Sequence, residues 1–217
     1  MNHPAAAGPP GPRLSVDIGG TFTDIVVDAG GRLHTAKVPT TVEAPARGFL
    51  DGSVQLLDAA GIAPGRVSSI IHGTTLATNA LIERRGARTA LVTTEGFRDS
   101  LEIGYESRFD QYDMFIEKAA PLVPRRLRLT VPERMSARGE VLRELTAADL
   151  EKIPPLVERA GVEAVAVGFL HAYANPAHER MAGAFFAERL PGVPVSLSAE
   201  VCPELREYER LSTTVAN

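Results

Sequence analysis

The sequence predicts an α/β fold, and three observations carry the prediction. Between Ser15 and Val27 an apolar strand runs into Asp17, Gly19-Gly20 turns it, and Thr21, Thr23 and Asp24 open a second apolar strand. Beyond these opening strands, segments of helical period alternate with short apolar runs along most of the chain. One of those runs, Ala164–Leu170, is almost continuously apolar, as a strand covered on both faces requires.

Taken in order, Met1 to Pro12 is rich in Ala, Gly and Pro and offers little to pack. Residues 1–13 are therefore expected to be a disordered leader, and no charged segment leads into an apolar one as a secretory signal would. Leu14–Ile18 and Thr23–Asp28 read as strands joined at the Gly-Gly turn. Ala29-Gly30-Gly31 then turns the chain into Leu33–Val38, completing an antiparallel meander. Pro45, then Phe49, Leu50, Val54, Leu57 and Ala60, with Gly61 as the stop, give a helix. Val67–Ile71 is a strand, Leu76–Arg85 a helix closed by Gly86, and Arg88–Thr93 a strand. This β-β-β-α-β-α-β start is the order of a ribonuclease-H-like lobe, the half-module of the actin/hexokinase ATPase superfamily, an analogy of fold and not of activity.

From Thr94 to Leu145 the pattern loosens. Aromatics (Phe97, Tyr105, Phe109, Tyr112, Phe115) interleave with Arg98, Asp99, Glu102, Glu106, Arg108, Asp110 and Asp113, which reads as a surface excursion or a small satellite core. Leu127–Val131 and Glu140–Leu142 are short strand candidates. Thr146 with Asp149 makes a capping-box-like start for a helix through Leu150, Ile153, Leu156, Val157 and Ala160, which Pro154 and Pro155 split or kink. Asn175-Pro176 caps another helix, through Met181, Phe185 and Leu190, on which His178 reads as solvated. Val193–Leu197 closes a second α-β-α-β unit.

Composition sets the outer limits. With 217 residues, 44% hydrophobic and 23% charged, the chain has material for a sizeable core. A formal charge of −4 provides no basic footprint for nucleic acid, and no apolar run reaches the ~18 residues of a membrane span. The single Cys202 excludes an internal disulfide and points to a reducing, cytoplasmic setting, with an inert thiol as the plain reading.

The chemistry-bearing residues fall into two blocks. At Gly19 and Gly20 the missing side chains let backbone N–H groups approach an anion, and the hydroxyls of Thr21 and Thr23 add donors. Asp17 is suited to orient a hydrated Mg2+, and Asp24 to join that network or to pack. An ordinary hairpin turn is the alternative. The second block, Ile71 to Leu81, sets His72, Thr74, Thr75 and Asn79 at a strand-to-helix junction. There, helix capping by a threonine and a satisfied histidine compete with a catalytic role. His171 has no second ligand at metal spacing.

These residues resemble the N-terminal domain of the hydantoinase A and oxoprolinase family. The resemblance rests on Asp17-Ile-Gly-Gly-Thr-Phe-Thr-Asp24, His72-Gly-Thr-Thr-Leu-Ala-Thr-Asn-Ala80 and Val92-Thr-Thr-Glu-Gly-Phe-Arg-Asp99. It continues through Pro121-Leu-Val-Pro-Arg-Arg126, Phe169-Leu-His-Ala-Tyr-Ala-Asn-Pro176 and Pro203-Glu-Leu-Arg-Glu-Tyr-Glu-Arg210. It implies a family domain over 14–192, with 193–217 leading into a second ATPase lobe that the sequence lacks. By itself the chain would then bind ATP weakly and hydrolyse none.

The resemblance further implies an ATP- and Mg2+-dependent enzyme that phosphorylates the carbonyl of a cyclic amide to drive ring opening, working with a hydantoinase B-type subunit or domain in an oligomer. Under it, Gly19, Gly20, Thr21 and Thr23 serve phosphate and Asp17 the metal, Asp24 joins the same network, and His72, Thr74, Thr75 and Asn79 face the substrate. Arg98, Asp99 and Glu102 rank below them. A ketone carboxylase subunit, a sugar-kinase-like lobe and a non-enzymatic nucleotide-responsive module remain as alternatives.

Overall fold

The computed structural model describes residues 11–41, 44–105, 110 and 112–217. The expected leader lies outside them except at Gly11 to Arg13, as do Glu106, Arg108 and Phe109 of the expected excursion. The architecture is α/β, in two compact units that divide between Arg85 and Gly86.

The first unit opens with the expected meander. β1 (Arg13–Ile18), β2 (Phe22–Ala29) and β3 (Arg32–Pro39) pair antiparallel, and β4 (Ser69–Thr74) adds parallel to β1, giving the order β3-β2-β1-β4. Alternation decides which face is covered. Leu14, Val16, Ile18, Ile25 and Val27 are buried with Leu56 and Leu57 of α1 (Pro45–Ala59), while Asp17 and Asp24 occupy the opposite face. Proline in the first turn of α1 costs nothing, because the amides there lack intrahelical acceptors. The short α2 (Leu76–Ile82) follows β4. β4 runs through His72 and Gly73, further than the apolar run Val67–Ile71 suggested, because its hydrogen-bond partner β1 continues to Ile18.

The second unit holds a parallel sheet of β5 (Thr89–Thr94), β6 (Arg128–Val131), β9 (Ala164–Gly168) and β10 (Val195–Leu197), in the order β10-β9-β5-β6. The strand expected at Arg88–Thr93 is present but belongs to this sheet, paired with β9 and β6. Between β5 and β6 lies α3 (Ser100–Ile103). Between β6 and β9 come the ribbon of β7 (Arg134–Met135) and β8 (Val141–Arg143), then α4 (Ala147–Leu150) and α5 (Pro154–Arg159). The Thr146–Asp149 capping box is formed, and Pro154-Pro155 starts a new helix after Leu150 instead of kinking one. α6 (Ala177–Arg189) follows β9, with the Ala177 amide donating to the Asn175 side chain at 3.0 Å.

The last two helices escaped the sequence reading. α7 (Ser198–Val201) and α8 (Glu207–Ala216) cover the sheet, and α8 buries Arg210, Leu211, Thr214 and Val215, one stripe of its surface. Leu211 seats on Gly168, where a Cβ would lie 1.9 Å from its Cδ2. Arg210 is fully buried. Its guanidinium donates to the carbonyls of Glu204 (2.6 Å) and Phe169 (3.1 Å) and to Ser198 Oγ (3.2 Å). Ser198 in turn donates to the buried Glu179 at 2.6 Å, whose carboxylate also accepts the amides of Phe169 and Ala199, each at 2.8 Å.

Among the described residues no helix is long and apolar enough to cross a membrane.

Burial pushes the Glu179 carboxyl above its ordinary value near 4.5, against the pull of its hydrogen bonds from Ser198, Ala199 and Phe169. A raised carboxyl binds protons more readily when folded. Its contribution to stability is therefore complete below the ordinary value and is lost as pH rises through the raised one. Denaturant unfolding across pH 4 to 8 should show Glu179→Gln gaining on the parent chain as pH rises. Arg210→Met, which strands two carbonyls and removes the cation from Glu179, should destabilise this unit by about 3–5 kcal/mol in the same assay.

Candidate phosphate-binding turn and its surroundings

The first unit assembles both blocks singled out in the sequence at one end of its sheet. In the ladder Ile18 faces Thr74 across the parallel pair and Thr23 across the antiparallel pair. The Ile18 carbonyl accepts the Thr75 amide at 3.1 Å and the Thr74 hydroxyl at 3.2 Å, so the strand-to-helix junction is tied to the start of the Gly-Gly turn.

Within the turn, the Gly19 amide donates to the Phe22 carbonyl at 2.9 Å, whereas the amides of Gly20 and Thr21 donate to no acceptor among the described residues. Neither glycine adopts a positive φ. Close approach excludes a side chain at Gly19, where a Cβ would lie 2.9 Å from the Phe22 carbonyl oxygen, whereas a Cβ at Gly20 would lie 3.2 Å from Asn79 Nδ2, the movable end of a side chain. Two unpaired amides in a turn stripped of side chains are the equipment of an anion cradle.

Thr40 braces the turn from β3's end. Its amide donates to the Thr21 carbonyl (2.9 Å), and its hydroxyl donates to the Gly19 carbonyl (2.9 Å) and lies 3.0 Å from the Thr23 hydroxyl. Thr23 is fully buried, so its hydroxyl is engaged inside the unit and not at the turn's open side, while Thr21 is exposed. Sequence reading missed Thr40, because a threonine just past a strand carries no motif.

The two acids of the motif differ in what surrounds them. Asp24 is ion-paired with Lys37, Nζ to Oδ1 at 3.0 Å, on the open face. Asp17, its register partner, is exposed with no hydrogen-bond or ion-pair partner among the described residues. The adjoining strand position is Gly73, where a Cβ would stand 3.7 Å from Asp17 Oδ1. Among the described residues no three His, Cys, Asp or Glu side chains converge as a metal cage.

In the second block, Thr75 and Asn79 lie beside the turn, with Asn79 Nδ2 donating to Thr75 Oγ1 at 3.4 Å. The Thr74 hydroxyl accepts the Leu76 amide at 3.3 Å. His72 pairs with Val16 and so lies on the α1 face, opposite Asp17, where its ring stacks on Phe49 with centroids 6.0 Å apart. The structure thus gathers Asp17, Gly19, Gly20, Thr21, Thr75 and Asn79 and sets His72 apart from them.

The lower-ranked residues belong to the second unit. Arg125 grips Asp99 with two bonds, 2.9 and 3.0 Å, and holds its carboxyl below the usual range. The buried Arg128 reaches Asp99 at 3.3 Å and Glu102 at 2.6 Å. His178 is not solvated as expected. It is buried with Nδ1 2.8 Å from Glu133 Oε2, and Glu133 also accepts the Thr94 hydroxyl. α6 turns that position inward, which a charged helical segment does not reveal.

Comparison with known proteins gives these features a context. The model of the hydantoinase/oxoprolinase N-terminal region matches residues 13–190. The caprolactamase alpha subunit of Pseudomonas jessenii is 38% identical over 94% of this chain and 30% of that subunit. The crystal structure of the ATP-dependent caprolactamase from the same organism matches with a TM-score of 0.78, over 94% of this chain and 31% of that one. The acetophenone carboxylase gamma subunit of Aromatoleum aromaticum is 35% identical over 93% of this chain and 30% of the subunit. A nucleotide-free acetone carboxylase shares the fold, with a TM-score of 0.83 at 24% identity, over 94% of this chain and 31% of that one. The chain spans less than a third of the length of these proteins.

Thr40→Val keeps the shape of the side chain but deletes the hydroxyl that serves Thr23 and the Gly19 carbonyl. Urea unfolding monitored in the first unit should show a loss of about 1–3 kcal/mol.

Proposed function

The chain belongs to the hydantoinase/oxoprolinase family, whose N-terminal region it matches, and from that premise we propose that it supplies the phosphate-binding turn of an ATP-dependent enzyme acting on cyclic amides. The observation that carries the reading is the turn itself: two amides without acceptors at Gly20 and Thr21, a neighbourhood a Cβ would fill, and the unpaired Asp17 beside it.

An amide resists water because attack must break its resonance, and ATP supplies a phosphoryl group that makes the carbonyl carbon a better electrophile. What the protein contributes to such a transfer is positioning and charge stabilisation. The amides of Gly20 and Thr21, with the Thr21 hydroxyl, hold phosphate oxygens. Asp17 would be the residue to hold the waters of an accompanying Mg2+, which would supply positive charge beside the phosphate. Thr40 and the buried Thr23 keep the turn in shape, so that no reorganisation is needed when charge shifts. Asn79 and Thr75 border the turn, where a reacting group would stand. Asp24, neutralised by Lys37, spares Asp17 a second negative charge at its register partner.

The substrate class rests on the caprolactamase relative, and the partner is proposed as a second subunit or domain of hydantoinase B type. A second reading, a subunit of a ketone carboxylase, is favoured by the acetophenone carboxylase relative. It uses the same turn to hold the transferred phosphoryl group, which there would go to the enol oxygen of the ketone as an α-proton is lost, since carboxylation needs a nucleophilic α-carbon and not a more electrophilic carbonyl. Phosphate release from the complete enzyme, measured with hydantoins, lactams, oxoproline and ketones, separates the two. ATP turnover indifferent to every one of them would leave only a nucleotide-responsive module.

In the complete enzyme, Asp17→Ala should lower substrate-dependent phosphate release by about a hundredfold or more with the circular dichroism spectrum unchanged. Wild-type turnover in that variant would refute the assignment. Gly20→Val should weaken nucleotide binding in calorimetric titration while shifting the melting temperature little, since its side chain meets only the end of Asn79.

A further inference from the structure

A single line of side chains crosses the open face of the first unit's sheet beside the glycine turn. Register sets Lys37 opposite Asp24, Asp24 opposite Asp17 and Asp17 opposite Gly73, so β3, β2, β1 and β4 each give one position to the face away from α1. That line carries two carboxylates and one ammonium. Among the described residues of the four strands, alternation places two cations on this face. One is Arg13, spent on Asp28 at 2.8 Å at the end remote from the turn, and the other is Lys37. A polyanion brought to the amides of Gly20 and Thr21 approaches two like charges, and Lys37 is the opposite charge at that end of the sheet.

The placement of Lys37 goes beyond that of a cross-strand pair. Its Nζ lies 3.0 and 3.1 Å from the two carboxylate oxygens of Asp24 and 5.2 Å from the centre of the Phe22 ring. Phe22 is the next residue toward the turn on that face of β2 and directly follows Thr21, so the ammonium is held between Asp24 and the residue that leaves the turn. Asp24 takes at most two of the three N–H groups, which leaves one to solvent or to an incoming acceptor. Both side chains are more than half exposed, and a pair of that kind contributes little to stability, so the fold does not need the ammonium where it stands.

We propose that Lys37 is a phosphate-contacting residue: its ammonium, held by Asp24 and Phe22, donates to the phosphoryl group on the β3 flank of the turn. Asn79 and Thr75, beside which the reacting end of the nucleotide stands in the proposed function, border the turn on the opposite flank, with β4. The group that Lys37 meets therefore belongs to the diphosphate and not to the terminal phosphoryl group. Asp24 becomes the residue that positions this cation, in place of a share in the metal's surroundings. This role rests on the phosphate-turn reading and adds to it a charge from a strand that carries no glycine motif.

Calorimetric titration of the complete enzyme with Mg-ATP, Mg-ADP and adenosine tests it. Lys37→Met should weaken Mg-ATP and Mg-ADP alike, by about tenfold or more, and leave adenosine unchanged, while Lys37→Arg should recover most of the loss. The double variant Lys37→Met/Asp24→Asn leaves no bare carboxylate and should stay as weak as Lys37→Met. Return of the double variant to parental affinity would mean that Lys37 only neutralises Asp24, and would overturn the proposal. So would an effect confined to Mg-ATP, which puts the cation at the reacting end, or an equal loss for adenosine, which marks a structural role. Gly20→Val separates this proposal from the reading beneath it. If that variant weakens both nucleotides and Lys37→Met weakens neither, the role of Lys37 falls alone; if neither variant weakens them, the phosphate turn falls with it.

Discussion

The candidate phosphate site depends on one carbonyl. Ile18 is the last residue of β1, and its oxygen takes both the Thr75 amide and the Thr74 hydroxyl. A strand that ends in a glycine turn has no neighbour to continue its ladder, and a carbonyl left unpaired there would cost free energy. Satisfying it from β4 and the junction beyond fixes how the second motif sits against the first. Asn79 beside Gly20 and Gly73 beside Asp17 follow from it, while Thr40 closes the turn from the far side through the β2–β3 pairing. The motifs are more than fifty residues apart in sequence and are held together by parallel register.

That arrangement was partly legible. The Gly-Gly turn, the alternation of its flanking strands, the proline at the start of α1 and the capping box at Thr146 all announce themselves locally, since each is a backbone requirement met by particular residue types. Pairing across the sheet is different. The strand at Thr89–Thr94 has no local mark saying which sheet it joins, and it joins the second. Likewise the alternation that sends His72 to the α1 face and Asp17 to the other can be assigned only once β1 and β4 are in register.

Buried charge was least legible of all. Lys, Arg, Asp and Glu read as solvent-facing in a sequence because unpaired burial is so costly, and a segment such as Pro203–Arg210 looks like surface. In the structure it delivers Arg210 into a set of carbonyls, Ser198 and the neighbourhood of Glu179, and α6 turns both Glu179 and His178 inward. The family signatures in this half of the chain are then explained by packing. Arg125 and the Val123 carbonyl, both from Pro121–Arg126, hold Asp99 and Arg128, and Asn175 reaches the Gly139 carbonyl at 2.8 Å. Residues that resemble chemistry in sequence can therefore be the means by which a parallel sheet holds its loops.

Buried charge and unpaired polar groups have different surroundings. Where the second unit buries a charge for structural reasons, it surrounds it: Arg128 and Arg210 each meet several acceptors, and Glu179 accepts three donors. Where a polar group is left without a partner, the surroundings differ. The amides of Gly20 and Thr21 are exposed at the Gly-Gly turn, whereas Ser53, His171 and His178 each bury a side-chain atom with no hydrogen-bond partner among the described residues. The turn's amides reach water when nothing is bound, so what suits them to an anion is not that they are unpaired but that two adjacent amides stand at an exposed glycine turn with no bulk in the way.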